Sequence, residues 1–289
     1  MFYLLILVSI VGYSLQGTLI ASFSRRLDPL SLAVYRNASL IVTMLPLLLM
    51  AAPGEIIKLV AFYPVIIATG ISGTLGIAVM FRSVLYLPVG IASGIRQAAG
   101  VLLSLLLGFL IFGEEISLFQ WLAIVVLLTG VMIISTSRNP MPHLDANTVM
   151  GLILSLISGG LIAFSFFLMG KLARDLDPAI SGYFLEASIG LCSLVMISIR
   201  RVVTGRGFEP ASFKTLLGIA AVSSPTLLGT GAAAWAITLG PFGIMRAYSA
   251  AGVLITVLIS TRIYGEHLRL NQWIGIVITV FAVIALRLG

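Results

Sequence analysis

Gly113-Glu114 followed by Gln120-Trp121 is the stretch that decides the fold, because it occurs twice. It returns as Gly265-Glu266 followed by Gln272-Trp273, a shift of 152 residues (265 − 113). Working outward, Ala98-Ala99-Gly100-Val101-Leu102 returns as Ala250-Ala251-Gly252-Val253-Leu254 at the same shift of 152 (250 − 98). Arg25-Arg26-Leu27-Asp28-Pro29 returns as Arg174-Asp175-Leu176-Asp177-Pro178, displaced by 149 (174 − 25). The chain reads as one repeat, residues 2–136, duplicated as residues 148–287. Between them lies a linker, 137–147, that carries Pro140, Pro142 and His143.

Almost everything between these matches is apolar. Of 289 residues 60% are hydrophobic and 9% are charged, where a soluble domain carries about 25% charged residues. A soluble fold has too little polar surface to coat so much apolar chain, whereas apolar runs of ~20 residues make lipid the solvent. The runs lack the period-2 alternation of barrel strands, and in lipid each backbone group must pair within its own segment, so they are helices. The fold class is all-α membrane, with ten spans near 2–22, 30–51, 62–86, 88–112, 117–136, 148–170, 179–199, 213–238, 241–263 and 271–287. Leu87-Pro88 and Gly240-Pro241 are the short breaks between spans 3 and 4 and between spans 8 and 9.

Five spans per repeat is odd, so the second repeat enters the membrane from the opposite side and the repeats are inverted. Inverted repeats put a solute site near the bilayer midplane at their interface, which alternating access exposes to each side in turn. The first apolar run has no basic residue before it and is matched by the start of the second repeat, so it reads as a span and not a cleaved leader. The +7 charge sits mainly in membrane-flanking turns, which excludes a nucleic-acid footprint. Cys192 is single, so no disulfide forms within the chain.

These motifs resemble the EamA-type family of the drug/metabolite transporter superfamily. The resemblance rests on the duplicated ten-helix plan, the Gly-Glu turn followed by Gln-Trp, the Tyr86 to Gly90 turn entering span 4, and Arg36 early in span 2. It covers both repeats and implies transport, frequently outward, of amino acids, related metabolites or drugs across the cell membrane. Family members often carry a proline in the first part of spans 4 and 9; here Gly100 and Gly252 stand there.

Charges inside the spans are the candidate functional residues, since each costs about 2.5–3.5 kcal/mol at a helix centre and must face a partner or water. They are Arg36, Arg82, Arg96, Arg246 and the single acid Glu186. Arg96 lies eight residues past Pro88 and Glu186 eight past Pro178. At ~1.5 Å per residue each is ~12 Å deep. Arg96 and Arg246, at nearly corresponding places in spans 4 and 9, are candidates to hold a substrate carboxylate in the guanidinium fork. The competing reading is that an arginine only anchors a helix end, and Arg82, near such an end, can snorkel.

Glu186 is a candidate for an ion pair with an arginine such as Arg36, or for proton coupling. Tyr13, Gln16, Phe164, Trp235 and Tyr248 are further substrate-site candidates, with packing as the alternative, and at least one of Phe166 and Phe167 is expected to face lipid. Thr69, Ser72, Thr74, Ser223, Ser224, Thr226 and Thr230 read first as small packing residues and second as a pore lining. Glu114 and Glu266 are expected to cap helix entrances.

No metal or cofactor is expected, since His143 and His267 have no ligand company, and enzyme signatures are absent. The expected partners are a small solute and the bilayer; the oligomeric state is not given by the sequence. A non-transporting scaffold that reuses the fold is the alternative. Turns after odd spans carry nine basic residues and the others, with the carboxyl terminus, carry four. That count puts both termini outside by the positive-inside rule. The family resemblance implies the reverse, and a reporter on the carboxyl terminus would decide between them.

Overall fold

A computed structural model describes residues 1–24, 27–51, 54–136, 145–264 and 268–288. Among the described residues, ten helices are long and apolar enough to cross a membrane: Phe2–Ile20, Leu30–Met50, Glu55–Ser83, Gly90–Phe112, Leu118–Thr136, Ala146–Asp175, Pro178–Thr204, Phe213–Leu239, Phe242–Ile263 and Leu270–Leu288. They are called spans 1 to 10 below. No strand occurs among the described residues. This is the all-α architecture of two inverted five-helix repeats that the duplication predicts.

Several boundaries differ from the hydropathy reading. Span 3 begins at Glu55, with a tight 3₁₀ stretch at Leu59–Phe62 before Pro64, and ends at Ser83 instead of residue 86. Spans 6 and 7 run on to Asp175 and Thr204, because Arg174, Arg200 and Arg201 can extend past an apolar core while remaining helical. Span 2 breaks at Met44, just before Leu45-Pro46, and span 8 breaks at Ser224, just before Pro225. A proline there has no N–H to give and its ring crowds the preceding turn. Span 4 runs unbroken through Gly100, whereas span 9 is interrupted at Ala251, immediately before Gly252. Gly100 and Gly252, equivalent positions in the two repeats, therefore behave differently.

The repeated Asp-Pro pairs are helix starts. Asp28 caps span 2, its Oδ2 accepting from the Ser31 N–H at 3.1 Å. Asp177 caps span 7, its Oδ1 accepting from the Ala179 N–H at 2.7 Å. In both, proline follows at the first helical position, where no amide is needed. Asp145 caps span 6 in the same way. The backbone hydrogen bond from Thr148, 2.7 Å, holds its carboxyl below the usual carboxylate range.

The chain divides into two compact bundles that do not coincide with the sequence repeats. The first holds Met1–Ala78 and Phe164–Leu239, and the second holds Val79–Ala163 and Gly240–Gly289. Each draws helices from both repeats. In the first bundle span 1 packs on span 8 and span 2 on span 7; in the second, span 5 packs on span 10 and span 4 on span 9. Exchanging the repeats turns the 1–8 pair into a 6–3 pair, and there Ser165 donates to the Thr69 carbonyl at 3.1 Å.

Small residues set the closest approaches, as they do between helices in lipid. A Cβ on Gly12 would come within 2.5 Å of the Gly229 nitrogen, at the crossing of spans 1 and 8. A Cβ on Gly275 would lie 3.0 Å from the Gly130 carbonyl oxygen, at the crossing of spans 5 and 10.

Candidate functional site

The repeated signature resolves into caps. Gly113 ends span 4 at φ +66°, a left-handed cap that glycine takes without a Cβ penalty. That turn swings Glu114 back over span 4, where its Oε1 accepts from the Phe242 N–H at 2.6 Å and its Oε2 from the Gly243 N–H at 2.9 Å. Glu114 thus caps a helix, but the start of span 9 in the other repeat and not the helix that follows it. A Cβ on Gly108 would overlap the Glu114 carboxylate, so glycine at 108 keeps this room open.

Gln120 closes its own helix: its Oε1 accepts from the Ser117 N–H at 3.0 Å while Ser117 Oγ accepts from the Gln120 N–H at 3.1 Å, a reciprocal capping box. Gln272 makes one bond of this kind, accepting from the Arg269 N–H at 3.0 Å. Trp121 and Trp273, next in line, are exposed at 39% and 51%, which suits amphipathic rings at the membrane–water boundary. Gly265 and Glu266 lie outside the described residues, as do Arg25, Arg26, Arg138, His143 and His267.

Inside the first bundle, polar side chains from spans 1, 8, 7, 2 and 3 form one continuous chain. Thr230 Oγ1 donates to Glu186 Oε1 at 2.8 Å and is 2.7 Å from the Tyr13 hydroxyl. A threonine hydroxyl has one proton to give, so Tyr13 is the donor to Thr230. Glu186 Oε2 faces Arg36 Nη1 at 3.6 Å, and that same nitrogen donates to Asn37 Oδ1 at 2.8 Å. Asn37 Nδ2 then donates to Ser193 Oγ at 2.9 Å. Thr74 Oγ1 donates to the Ile189 carbonyl at 3.0 Å and lies 3.4 Å from Ser193 Oγ. Glu186, Thr230, Asn37, Ser193 and Thr74 are all buried.

The charge reading flagged Arg36 and Glu186 but not Asn37, Ser193 or the role of Thr74 and Thr230. The available signal was Asn37 itself, a second polar residue beside Arg36 in an apolar run.

The second bundle collects the other two deep arginines. Span 4 meets span 6 so closely that a Cβ on Gly159 would overlap the Arg96 carbonyl oxygen. A Cβ on Gly100 would lie 3.4 Å from the Gly159 carbonyl oxygen and 3.9 Å from Arg246 Nη2. The Arg246 guanidinium therefore reaches span 4 one helical turn, about 6 Å, beyond Arg96. Arg96 is half-buried, with Nη2 donating to Ser93 Oγ at 3.2 Å. Tyr248, two residues after Arg246, is buried.

The remaining candidates are placed less centrally. Arg82 is exposed in the last turn of span 3. Gln16 is buried in span 1. Trp235 packs against the apolar cluster of Leu40, Met44, Leu47 and Tyr183. Phe166 meets the Tyr13 ring edge-on at 6.1 Å, and Phe164 stacks on Phe167 at 6.1 Å. Of these, Phe167 is buried, Phe166 half-buried and Phe164 exposed.

A multi-pass membrane protein of two inverted five-helix repeats, with arginines and the buried acid Glu186 inside its spans, is the class that these observations define. The chain belongs to the EamA-like transporter family, whose sequence model matches residues 1–136 and 149–288. A solved crystal structure superposes on 99% of this chain and 97% of its own, with a TM-score of 0.73 and 14% sequence identity, a likeness of fold. No curated protein matches.

Proposed function

We propose that the protein is a secondary carrier in the cell membrane that moves a small carboxylate-bearing metabolite, amino-acid-like or a related acid, outward by alternating access. The observation that carries this reading is the pairing of Arg96 and Arg246. Where spans 4, 6 and 9 converge, Arg246 reaches span 4 at Gly100 and Arg96 turns to Ser93 on the same span, and a guanidinium fork suits a carboxylate.

The tight interhelical packing also bears on what moves. Spans 1 and 8, and spans 5 and 10, cross at glycine contacts that a rigid rotation of one whole repeat would break. Proteoliposomes loaded with labelled carboxylic and amino acids test the reading. Flux of an anionic solute that is lost in Arg96→Ala and Arg246→Ala supports it; equal flux in both variants retires the carboxylate clamp.

A further inference from the structure

We propose that the end of span 7 and the turn after it dock one anionic phospholipid, with its phosphate on Arg201, Arg206 and Lys214 and an acyl chain along span 7. This rests on the membrane-spanning fold and not on the carrier reading.

The turn is strapped down. Gly205 ends span 7 at φ +69°, a left-handed cap that glycine takes without a Cβ penalty. Phe208 then stacks on Tyr35 of span 2, with ring centroids 5.6 Å apart. The Glu209 N–H donates to Ser31 Oγ at 3.0 Å, and the Tyr35 hydroxyl donates to the Glu209 carbonyl at 2.5 Å. The Glu209 carboxylate accepts from the Asp28 N–H. These bonds hold the turn across the start of span 2.

The strap engages both nearby acids and leaves three cations over. Asp28 caps span 2 and takes Arg200 at 3.4 Å, while Glu209 is held by the Asp28 amide. Arg201, Arg206 and Lys214 are exposed, and among the described residues none of the three has an ion-pair partner. A Cβ on Gly207 would lie 3.4 Å from Arg201 Cδ, so the turn folds back against the stem of that side chain. The Arg206 N–H donates to Thr204 Oγ1 at 3.3 Å, which fixes its backbone. Guanidinium groups suit the oxygens of a phosphate, and basic residues flanking a span attract anionic lipid.

An apolar groove of about 440 Å³ runs along span 7 from this end, lined by Leu194, Val195, Ser198, Ile199, Val202 and Val203. Ser193 and Ile197, on the other face of the helix, are buried. The Ser198 hydroxyl donates to the Leu194 carbonyl at 2.8 Å, so the groove is apolar throughout. From 194 to 203 the helix rises ~14 Å, close to one leaflet of a ~30 Å hydrocarbon core. Charge at the span end and an apolar track one leaflet long match a lipid, whereas a soluble acidic partner would meet only the cations.

Native mass spectrometry of the full chain in detergent tests this with phosphatidylglycerol and phosphatidylcholine of identical acyl chains. The wild type is expected to keep one phosphatidylglycerol under conditions that strip phosphatidylcholine. Changing Arg201→Gln, Arg206→Gln and Lys214→Gln together should lower phosphatidylglycerol affinity by roughly fivefold per cation removed. The same number of exposed cations removed elsewhere, as Lys58→Gln, Lys171→Gln and Arg287→Gln, should leave the preference intact. Ser198→Trp fills the groove and should weaken phosphatidylglycerol binding with every cation in place. Glycerol 3-phosphate, which has the charge and no chain, should not displace the lipid.

Equal retention of the two lipids by the wild type, or equal losses in both triple variants, overturns the proposal. So does displacement by glycerol 3-phosphate, or a Ser198→Trp variant that binds as the wild type does. No solute flux enters the measurement, so a failed transport assay leaves the result intact.

Discussion

The two bundles treat buried charge in opposite ways. In the first, spans 2 and 7 face each other and bring together Arg36 and Glu186, one positive and one negative, inside a continuous hydrogen-bonded chain. In the second, spans 4 and 9 face each other and carry Arg96 and Arg246, both positive, with Arg246 reaching span 4 at Gly100. In each case the paired spans are equivalent members of the two repeats, so an unmodified duplication would set like against like. The first bundle sets opposite charges against each other, and the second places two arginines on its facing spans. The comparison is therefore between an internal pair in the first bundle and, under the proposed function, a solute-holding pair in the second.

The largest expected effect breaks this comparison at its cationic side. Arg96→Ala or Arg246→Ala should abolish flux of an anionic solute in proteoliposomes while the protein inserts and purifies normally. Arg82→Ala, at an exposed helix end, should leave flux close to wild type. If all three behave alike, the second bundle has no special claim on the substrate.

The neutral side should answer in stability. Glu186→Ala strands Arg36 among buried neighbours, and removal of one partner of a buried pair costs about 3–5 kcal/mol. Replacing both, as Arg36→Met with Glu186→Met, should recover most of that loss, because packed apolar residues do as well as a buried ion pair. Thermal unfolding in detergent measures both variants. A double variant no more stable than Glu186→Ala would mean that Thr230 and Asn37, and not the charge pair, hold these helices together.

A smaller effect is expected where the bundles use helix ends. Glu114→Ala removes two hydrogen bonds from the start of span 9 and should cost about 1–2 kcal/mol. Glu114→Gln keeps an acceptor oxygen and should lose less, mostly the 0.3–1 kcal/mol that an anion gains at a helix N-terminus. The same detergent unfolding ranks them, and equal losses would remove the charge from the account.

Which parts of this were legible in the sequence follows from how local each cause is. The spans come from apolar run length, a property of consecutive residues. The Asp-Pro starts and the Ser117–Gln120 box are set within four residues. Depth arithmetic identified Arg36, Arg96, Arg246 and Glu186 because a charge in lipid is conspicuous one residue at a time. What stayed hidden was pairing. Glu114 looks like a cap of the helix that follows it, yet its amides lie 128 and 129 residues further on. Asn37, Ser193 and Thr74 are ordinary polar residues until folding sets them end to end. The breaks at Met44 and Ser224 were available from Pro46 and Pro225, since proline acts on its own preceding turn.

The smallest expected effect separates the two copies of the signature. Gln120 shares a reciprocal box with Ser117, so Gln120→Ala leaves Ser117 Oγ free to hold the amide at position 120 and one cap bond survives. In the second repeat Arg269 stands where Ser117 does, and it has no hydroxyl to return the bond. Gln272 is also buried, so Gln272→Ala opens a gap as well as removing the bond to the Arg269 N–H. A net hydrogen bond is worth about 0.5–1.5 kcal/mol. Gln120→Ala should fall at the low end of that range and Gln272→Ala above it, because cavity cost adds to the lost bond. Unfolding midpoints of the two variants in one detergent compare them directly. If Gln120→Ala proved the more damaging, the reciprocal box would matter more than burial, and the two repeats would be closed by different means.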